Sequence, residues 1–173
     1  MHVVIVGCGR VGSTLGRELV AAGHTVAVID RKSEAFSRLG ESFTGQKITG
    51  IGFDRDILIE AGIEKAGALA AVTNGDNSNI LIARVARESF GIENVVARIS
   101  DPKRAEIYER LGIATVATVK WTSDRILRRI LPDLPAVEWT DPSSSVVLVE
   151  RTLPDTLVGE KVLELEIKGA RIS

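Results

Sequence analysis

From residue 2 to about residue 131, short β-branched runs alternate with longer stretches whose apolar residues recur at helical spacing. This alternation is typical of a parallel sheet covered by helices on both faces. The predicted strands are 3–6, 25–29, 47–49, 69–73, 95–99 and 114–117, and the predicted helices lie near 10–22, 33–40, 55–62, 77–90, 102–111 and 121–131. Six parallel strands make a full doubly wound sheet, so the predicted fold class is α/β, of Rossmann type.

The pattern changes after Leu131, where Pro132, Pro135, Pro142 and three consecutive serines at 143–145 interrupt the alternation. We therefore predict a domain over 1–131 and a linker over 132–145. Strand character and a short amphipathic stretch then follow in 146–173. A unit this short rarely folds unaided, so we interpret it as the beginning of a truncated, small α+β domain.

Composition narrows the classes of partner. The chain of 173 residues carries a formal net charge of −1, which gives no electrostatic preference for nucleic acid or for anionic lipid. It has neither the apolar run that a membrane helix needs nor the layout of a signal peptide, and its single cysteine, Cys8, cannot form an internal disulfide. These features predict a cytoplasmic protein.

A glycine motif, Gly7-Cys8-Gly9-Arg10-Val11-Gly12, follows the first predicted strand and opens the first predicted helix. In that context the first glycine allows a tight turn, the second admits a pyrophosphate to the backbone, and the third allows close helix packing. The helix N-terminus stabilises the negative charge of the phosphates. The alternative is a glycine-rich turn without a ligand.

Asp30 ends the second predicted strand, near the roughly 20-residue spacing of the acid that binds ribose in Rossmann domains. A carboxylate there accepts hydrogen bonds from ribose hydroxyls and repels a 2′-phosphate, which favours NAD or an adenine nucleotide over NADP. Arg31 leaves three alternatives open, because it can pair with a 2′-phosphate, stack on adenine or stay solvated.

Two further features lie at the predicted ligand edge of the sheet. The polar stretch from Thr73 and Asn74 to Asn79 follows the fourth predicted strand, where it either contacts a ligand or merely caps the next helix. Arg98 lies inside an otherwise apolar strand and needs an anionic partner, which is either a ligand phosphate or a carboxylate of the protein.

The sequence lacks the residue patterns of common catalytic and metal sites. His2 and His24 precede the first and second predicted strands, away from the ligand edge, and no P-loop or metal-ligand spacing is present. Tyr108 has Gly112 four positions later, so it does not form the Tyr-x-x-x-Lys pair of short-chain dehydrogenases. These absences favour a binding module over an enzyme, with no catalytic and no metal-binding residues.

Together these segments resemble the TrkA-like family of bacterial potassium-uptake regulators, which carry the regulator-of-potassium-conductance (RCK) domain, and in particular its actinobacterial members. The segments are the glycine motif, 28–30, 58–63, 71–80, 97–99 and 108–112. The resemblance implies a regulatory subunit that senses NAD(H) or ATP/ADP and gates a membrane potassium transporter. It also implies a homodimer or a larger ring, held at the inner face of the membrane by the transporter partner.

The resemblance further implies that the bound nucleotide is contacted by residues 7–11, Asp30, Thr73, Asn74 and Arg98. Arg10 matches a position that reaches phosphate in relatives, sometimes across a subunit interface. Two segments depart from the family pattern. Gly50-Ile51-Gly52-Phe53 stands where relatives often have Gly-Asp-Ala-Thr, so the shape of the adenine pocket is in doubt. Val119-Lys120 stands where some relatives have a cation-binding glutamate.

Two other functions remain as alternatives. The first is a truncated NAD-dependent oxidoreductase, which needs catalytic residues that this sequence lacks. The second is a dinucleotide-sensing transcription factor, which needs a DNA-binding domain for which the strand starting at residue 2 leaves no room.

Overall fold

The computed structural model describes residues 1–131, 136–140, 147–150 and 158–159. The chain divides into two compact units, Met1–Trp121 and Thr122–Ser173. The strands of the first unit are β1 (His2–Val6), β2 (Thr25–Asp30), β3 (Gln46–Thr49), β4 (Ala66–Ala71), β5 (Asn94–Ile99) and β6 (Ala114–Ala117). Its helices are α1 (Arg10–Ala21), α2 (Arg55–Glu60), α3 (Asp76–Phe90) and α4 (Pro102–Arg110), and α5 (Thr118–Ile130) crosses the boundary between the units.

The six strands form one parallel sheet in the order β3-β2-β1-β4-β5-β6. This is the doubly wound order expected from the sequence pattern, so the predicted fold class is confirmed. The segment Ser33–Leu39 is a 3₁₀ helix where an α-helix was expected, and α5 begins at Thr118, three residues before the predicted start.

The hydrophobic core lies on both faces of the sheet because side chains of a strand alternate between faces. On one face, Val3 and Ile5 of β1 belong to the same cluster as Leu15 and Leu19 of α1. On the other, Val4 and Val6 belong to a cluster with the buried side of α3, which includes Ile82. Since these β1 residues are at most 4% exposed, β1 is the buried centre of the unit.

Two short strands lie in the second unit. β7 (Ala136–Thr140) pairs antiparallel with β8 (Val147–Glu150). β7 lies inside the stretch interpreted as a linker, where the β-branched and aromatic residues of Val137-Glu138-Trp139-Thr140 favour a strand despite the flanking prolines. The amphipathic stretch predicted after residue 158 lies largely outside the described residues. No helix among the described residues is long and apolar enough to cross a membrane.

Candidate functional site

The winding of the sheet reverses between β1 and β4, and the carboxyl edge at this point is where a doubly wound fold forms its crevice. These strands are neighbours, but α1, which follows β1, packs on one face, and α3, which follows β4, packs on the other. Adjacent parallel strands whose helices leave in opposite directions create the place where doubly wound proteins bind ligands. The glycine motif follows β1 and the Thr73–Asn79 stretch follows β4, so both lie beside this crevice.

The first and third glycines of the motif are required by the fold. Gly7 has a φ of +106°, and a Cβ there would lie 2.8 Å from the backbone nitrogen of Thr73. A Cβ on Gly12 would lie 1.8 Å from the carbonyl oxygen of Gly7. The loop therefore passes too close to α1 and to the end of β4 to carry a side chain at either position.

Gly9 differs from the other two glycines. It has a φ of −75°, which any residue adopts, and a Cβ built on it meets no protein atom within 4 Å. It is the N-cap of α1, without a side-chain cap, and the first turn of α1 contains no acidic residue. The described residues therefore leave the positive end of the α1 dipole open, beside a backbone position with free space next to it. A phosphate group fits both features.

Asp30 lies at the end of β2, next to the glycine motif. Its Oδ2 accepts a hydrogen bond from the Cys8 backbone N–H at 2.7 Å, and its Oδ1 accepts one from the Lys32 N–H at 3.0 Å. Two carboxylate oxygens offer about four acceptor positions, so about two remain for ligand hydroxyls. Asp30 thus holds the loop in place and keeps acceptor capacity, while Arg31 is exposed beside it.

Cys8 takes part in the loop through its backbone. Its side chain is fully buried, and the thiol donates to the carbonyl oxygen of Ala35 at 3.3 Å. Burial raises the pKa of the Cys8 thiol, and the nearby negative charge of Asp30 raises it further. The thiol therefore stays protonated and is directed away from the crevice. Arg10 and Val11, by contrast, are exposed at the start of α1.

Thr73 and Arg98 meet at the ends of β4 and β5. The Nη1 of Arg98 donates to the carbonyl oxygen of Thr73 at 3.4 Å, and Asn74 is exposed next to Thr73. The Nε of Arg98 is buried and has no hydrogen-bond partner among the described residues. A buried guanidinium nitrogen without a partner is costly, so this atom favours an acceptor beyond those that the described residues supply, such as a ligand.

The predicted site residues therefore share one edge of the sheet. Asp30 ends β2, the glycine motif follows β1, and Thr73 with Asn74 follows β4. Arg98 is the next-to-last residue of β5, and these four strands are neighbours in the sheet. Three strand spacings cover roughly 14 Å. His2 and His24 lie at the opposite edge, where they line a separate cleft of about 700 Å³.

The sequence leaves open whether the stretch that contains Asp76 and Asn79 contacts a ligand or caps α3, and in the structure these two side chains bond to distant backbone groups. The N-cap of α3 is Gly75, which makes no side-chain cap bond. The Asp76 carboxylate accepts hydrogen bonds from the backbone N–H groups of Ser100 and Asp101, at 2.9 and 3.1 Å. Partial burial works to raise the pKa of Asp76, but these hydrogen bonds, with the charge of Arg104, lower it below its ordinary value of 3.8.

Comparison with known proteins gives one family and consistent relatives. The family model for the TrkA-N domain matches residues 3–119. The chain is 60% identical over its whole length to a Streptomyces coelicolor protein named Trk system potassium uptake protein TrkA, of which it covers 78%. It is 33% identical over 76% of its length to a TrkA homolog of Methanothermobacter thermautotrophicus, of which it spans 60%.

Solved structures agree with the fold. The chain resembles the Kef C-terminal domain of Shewanella denitrificans in its AMP-bound form, with a TM-score of 0.67 and 23% identity over 76% of this chain and 80% of that one. It resembles the TrkA-N domain of the Escherichia coli inner membrane protein ybaL, with a TM-score of 0.63 and 25% identity over 75% and 96%. It also resembles the GsuK channel bound to NAD, with a TM-score of 0.59 and 20% identity over 79% and 24%.

We expect substitutions at two glycines of the motif to differ in their effect on the stability of the chain. Gly12→Ala should lower the free energy of unfolding by about 1–3 kcal/mol or more, because its Cβ meets a carbonyl oxygen. Gly9→Ala should lower it by no more than about 1 kcal/mol, the cost of a poorer N-cap, because its Cβ enters open space. Urea unfolding of both variants checks this, and an equal loss in the two would contradict the assignment.

Asp76 should make stability depend on pH. Because its folded-state pKa is depressed, its carboxylate contributes stability that is complete above its ordinary pKa and is lost as pH falls through the lower folded value. Asp76→Asn should therefore destabilise the chain at about pH 7 and much less at about pH 3 in urea unfolding. The control is Glu93→Gln, an exposed carboxylate. A pH-independent effect of Asp76→Asn would contradict this role.

Proposed function

This chain belongs to the TrkA-N domain family, and from that membership and the geometry of the crevice we propose that it is the nucleotide-sensing regulatory subunit of a potassium-uptake system. In this proposal it binds NAD(H) or ATP/ADP and gates a membrane potassium transporter. The relatives are named as potassium uptake proteins, which supports a regulatory role and not an enzymatic one. Its site of action would be the inner face of the membrane, as a peripheral subunit of the transporter.

The observation that carries the proposal is the open position at Gly9. The fold explains Gly7 and Gly12, but no protein contact in the described chain requires a glycine between them. A ligand phosphate at the start of α1 would require a glycine there, because a side chain would occupy the space of the phosphate. The unpartnered Nε of Arg98, two strands away, supports a ligand that extends along the edge of the sheet from β1 past β4.

The spare acceptors of Asp30 favour a ligand with free ribose hydroxyls, and its charge disfavours a 2′-phosphate. Structural neighbours are described as bound to AMP, NAD and ADP, all of which contain adenosine. The proposed contacts are therefore the backbone of residues 7–12 for phosphate, Asp30 for ribose, and Thr73, Asn74 and Arg98 for the distal part. Arg10 in the glycine motif and Arg31 after Asp30 are exposed next to these proposed contacts.

We expect Gly9→Val to abolish nucleotide binding without unfolding the chain. The valine side chain would occupy the space proposed for phosphate, which should weaken binding more than about tenfold, or about 1.4 kcal/mol. Calorimetric titration of the wild type with NAD⁺, NADH, ATP and ADP, repeated on the variant, measures the effect. Ala21→Val, at the exposed far end of α1, is the matched control. Full binding by Gly9→Val would remove the glycine motif from the site.

Exposed apolar surfaces support assembly with a second copy. α5 has no buried residue, and its apolar side chains Ile126, Leu127 and Ile130 are 46–67% exposed. In the first unit, Val96 of β5 and Val116 of β6 are also exposed, and the pairing register puts them on one face of the sheet. Apolar surfaces of this kind usually mark an interface. We propose a homodimer as the smallest unit, with larger rings beside the transporter.

The double variant Leu127→Asp with Ile130→Asp should yield monomers that still bind nucleotide, because it puts charges into the proposed contact. Arg129→Asp is the charge-matched control, since it changes net charge by the same amount at an exposed residue on the side of the same helix away from Leu127. Light scattering after chromatography measures the oligomer. A monomeric wild type, or a dimeric Leu127/Ile130 variant, would remove α5 from the interface.

A further inference from the structure

Asn79 is a fully buried polar side chain on α3 whose amide uses all of its hydrogen-bonding capacity. Its Oδ1 accepts from the backbone N–H of Thr73 at 2.9 Å and from the Thr73 hydroxyl at 2.7 Å. Its Nδ2 donates to the carbonyl oxygen of Thr73 at 3.1 Å and to that of Arg98 at 2.7 Å. A side-chain amide has two donor hydrogens and two acceptor lone pairs, so none is left over.

These bonds lie where the sheet itself stops connecting β4 to β5. The pairing between the two strands ends at Ala71 with Ala97. Thr73 and Arg98 come after the last paired residues, and the Asn79 amide joins them in place of backbone hydrogen bonds. It therefore sets the distance between two strand ends that both carry proposed ligand contacts.

The orientation of Arg98 depends on the same amide. The carbonyl oxygen of Thr73 accepts from both the Asn79 Nδ2 and the Arg98 Nη1. By holding that carbonyl, Asn79 fixes one end of the guanidinium, whose Nε remains unpartnered. A shift of Thr73 would turn Arg98 as well, so one side chain controls two contacts.

We propose that Asn79 is the positioning residue of the ligand site, which holds Thr73 and Arg98 in the arrangement that binds the distal part of the nucleotide. Asn79 does not touch the ligand in this arrangement. The inference rests on the proposed nucleotide binding, and it predicts that the amide affects affinity as well as stability.

Asn79→Asp tests the donor half of the amide at constant volume. An aspartate cannot donate to the carbonyl oxygens of Thr73 and Arg98 while ionised, and its charge would repel both of them. Protonation restores one donor. The Thr73 N–H and hydroxyl and the Arg98 guanidinium lower the pKa of this carboxyl, but complete burial together with the two carbonyls should raise it overall. NAD⁺ is the probe, because its pyrophosphate, unlike the terminal phosphate of ADP, has no proton to lose near neutral pH.

We expect the variant to bind NAD⁺ about tenfold more weakly than the wild type at about pH 7.5 and to recover most of that loss at about pH 5.5. The wild type should show no comparable change over this range. Asn94→Asp is the matched control, since the Asn94 Nδ2 also links β5 to β4, donating to the carbonyl oxygen of Gly67 at the opposite edge. Its affinity should equal that of the wild type at both pH values.

The folded fraction, from urea unfolding at each pH, separates positioning from simple stabilisation. A purely structural role would lower the folded fraction and leave the affinity of the folded protein unchanged, which would overturn the inference. If Asn79→Asp does not fold at the higher pH, Asn79→Ser replaces it, with the same expected loss of affinity and no recovery in acid. A wild type that binds neither NAD⁺ nor ADP would instead overturn the proposed function and this inference with it.

Discussion

The reversal of winding between β1 and β4 is the constraint on which the candidate site depends. Because α1 and α3 pack on opposite faces, the loops that follow these two neighbouring strands separate and leave a crevice. The buried β-branched residues of β1 pack against both helical layers, so the crevice lies at the end of a strand that is buried on both faces. The position of the site is thus a consequence of core packing.

Polar side chains then hold the loops that the sheet no longer pairs. Asp30 ties the glycine motif to the end of β2, Asn79 ties the end of β4 to that of β5, and Asp76 ties the start of α3 to the loop after β5. Each bond replaces contacts that water would otherwise make with buried backbone groups. A site held in this way loses little conformational entropy when a ligand binds.

Much of this arrangement is predictable from the sequence. The remainder is not predictable, and the reason is physical. Strands and their order follow from β-branched runs, and the glycine motif and Asp30 follow from spacing. Asn79 and Asp76 stand in a stretch where capping is the ordinary role of Asn and Asp, and their true partners, Arg98 and Ser100, are about 20 residues away in sequence. Such long-range bonds leave no local pattern. The 3₁₀ segment Ser33–Leu39 likewise shares its apolar spacing with an α-helix.

The three glycines of the motif have different roles in the structure, although they form one pattern in the sequence. A glycine of the motif is evidence for ligand binding only if no contact within the fold requires a glycine at that position. Gly7 and Gly12 are needed by any chain that makes this turn and packs α1 this closely, whether or not it binds a nucleotide. Only Gly9, with its ordinary backbone angles and open surroundings, bears on the ligand. A nucleotide at this edge is therefore favoured by three features of the described chain: one glycine, one carboxylate with spare acceptors and one arginine with a spare donor.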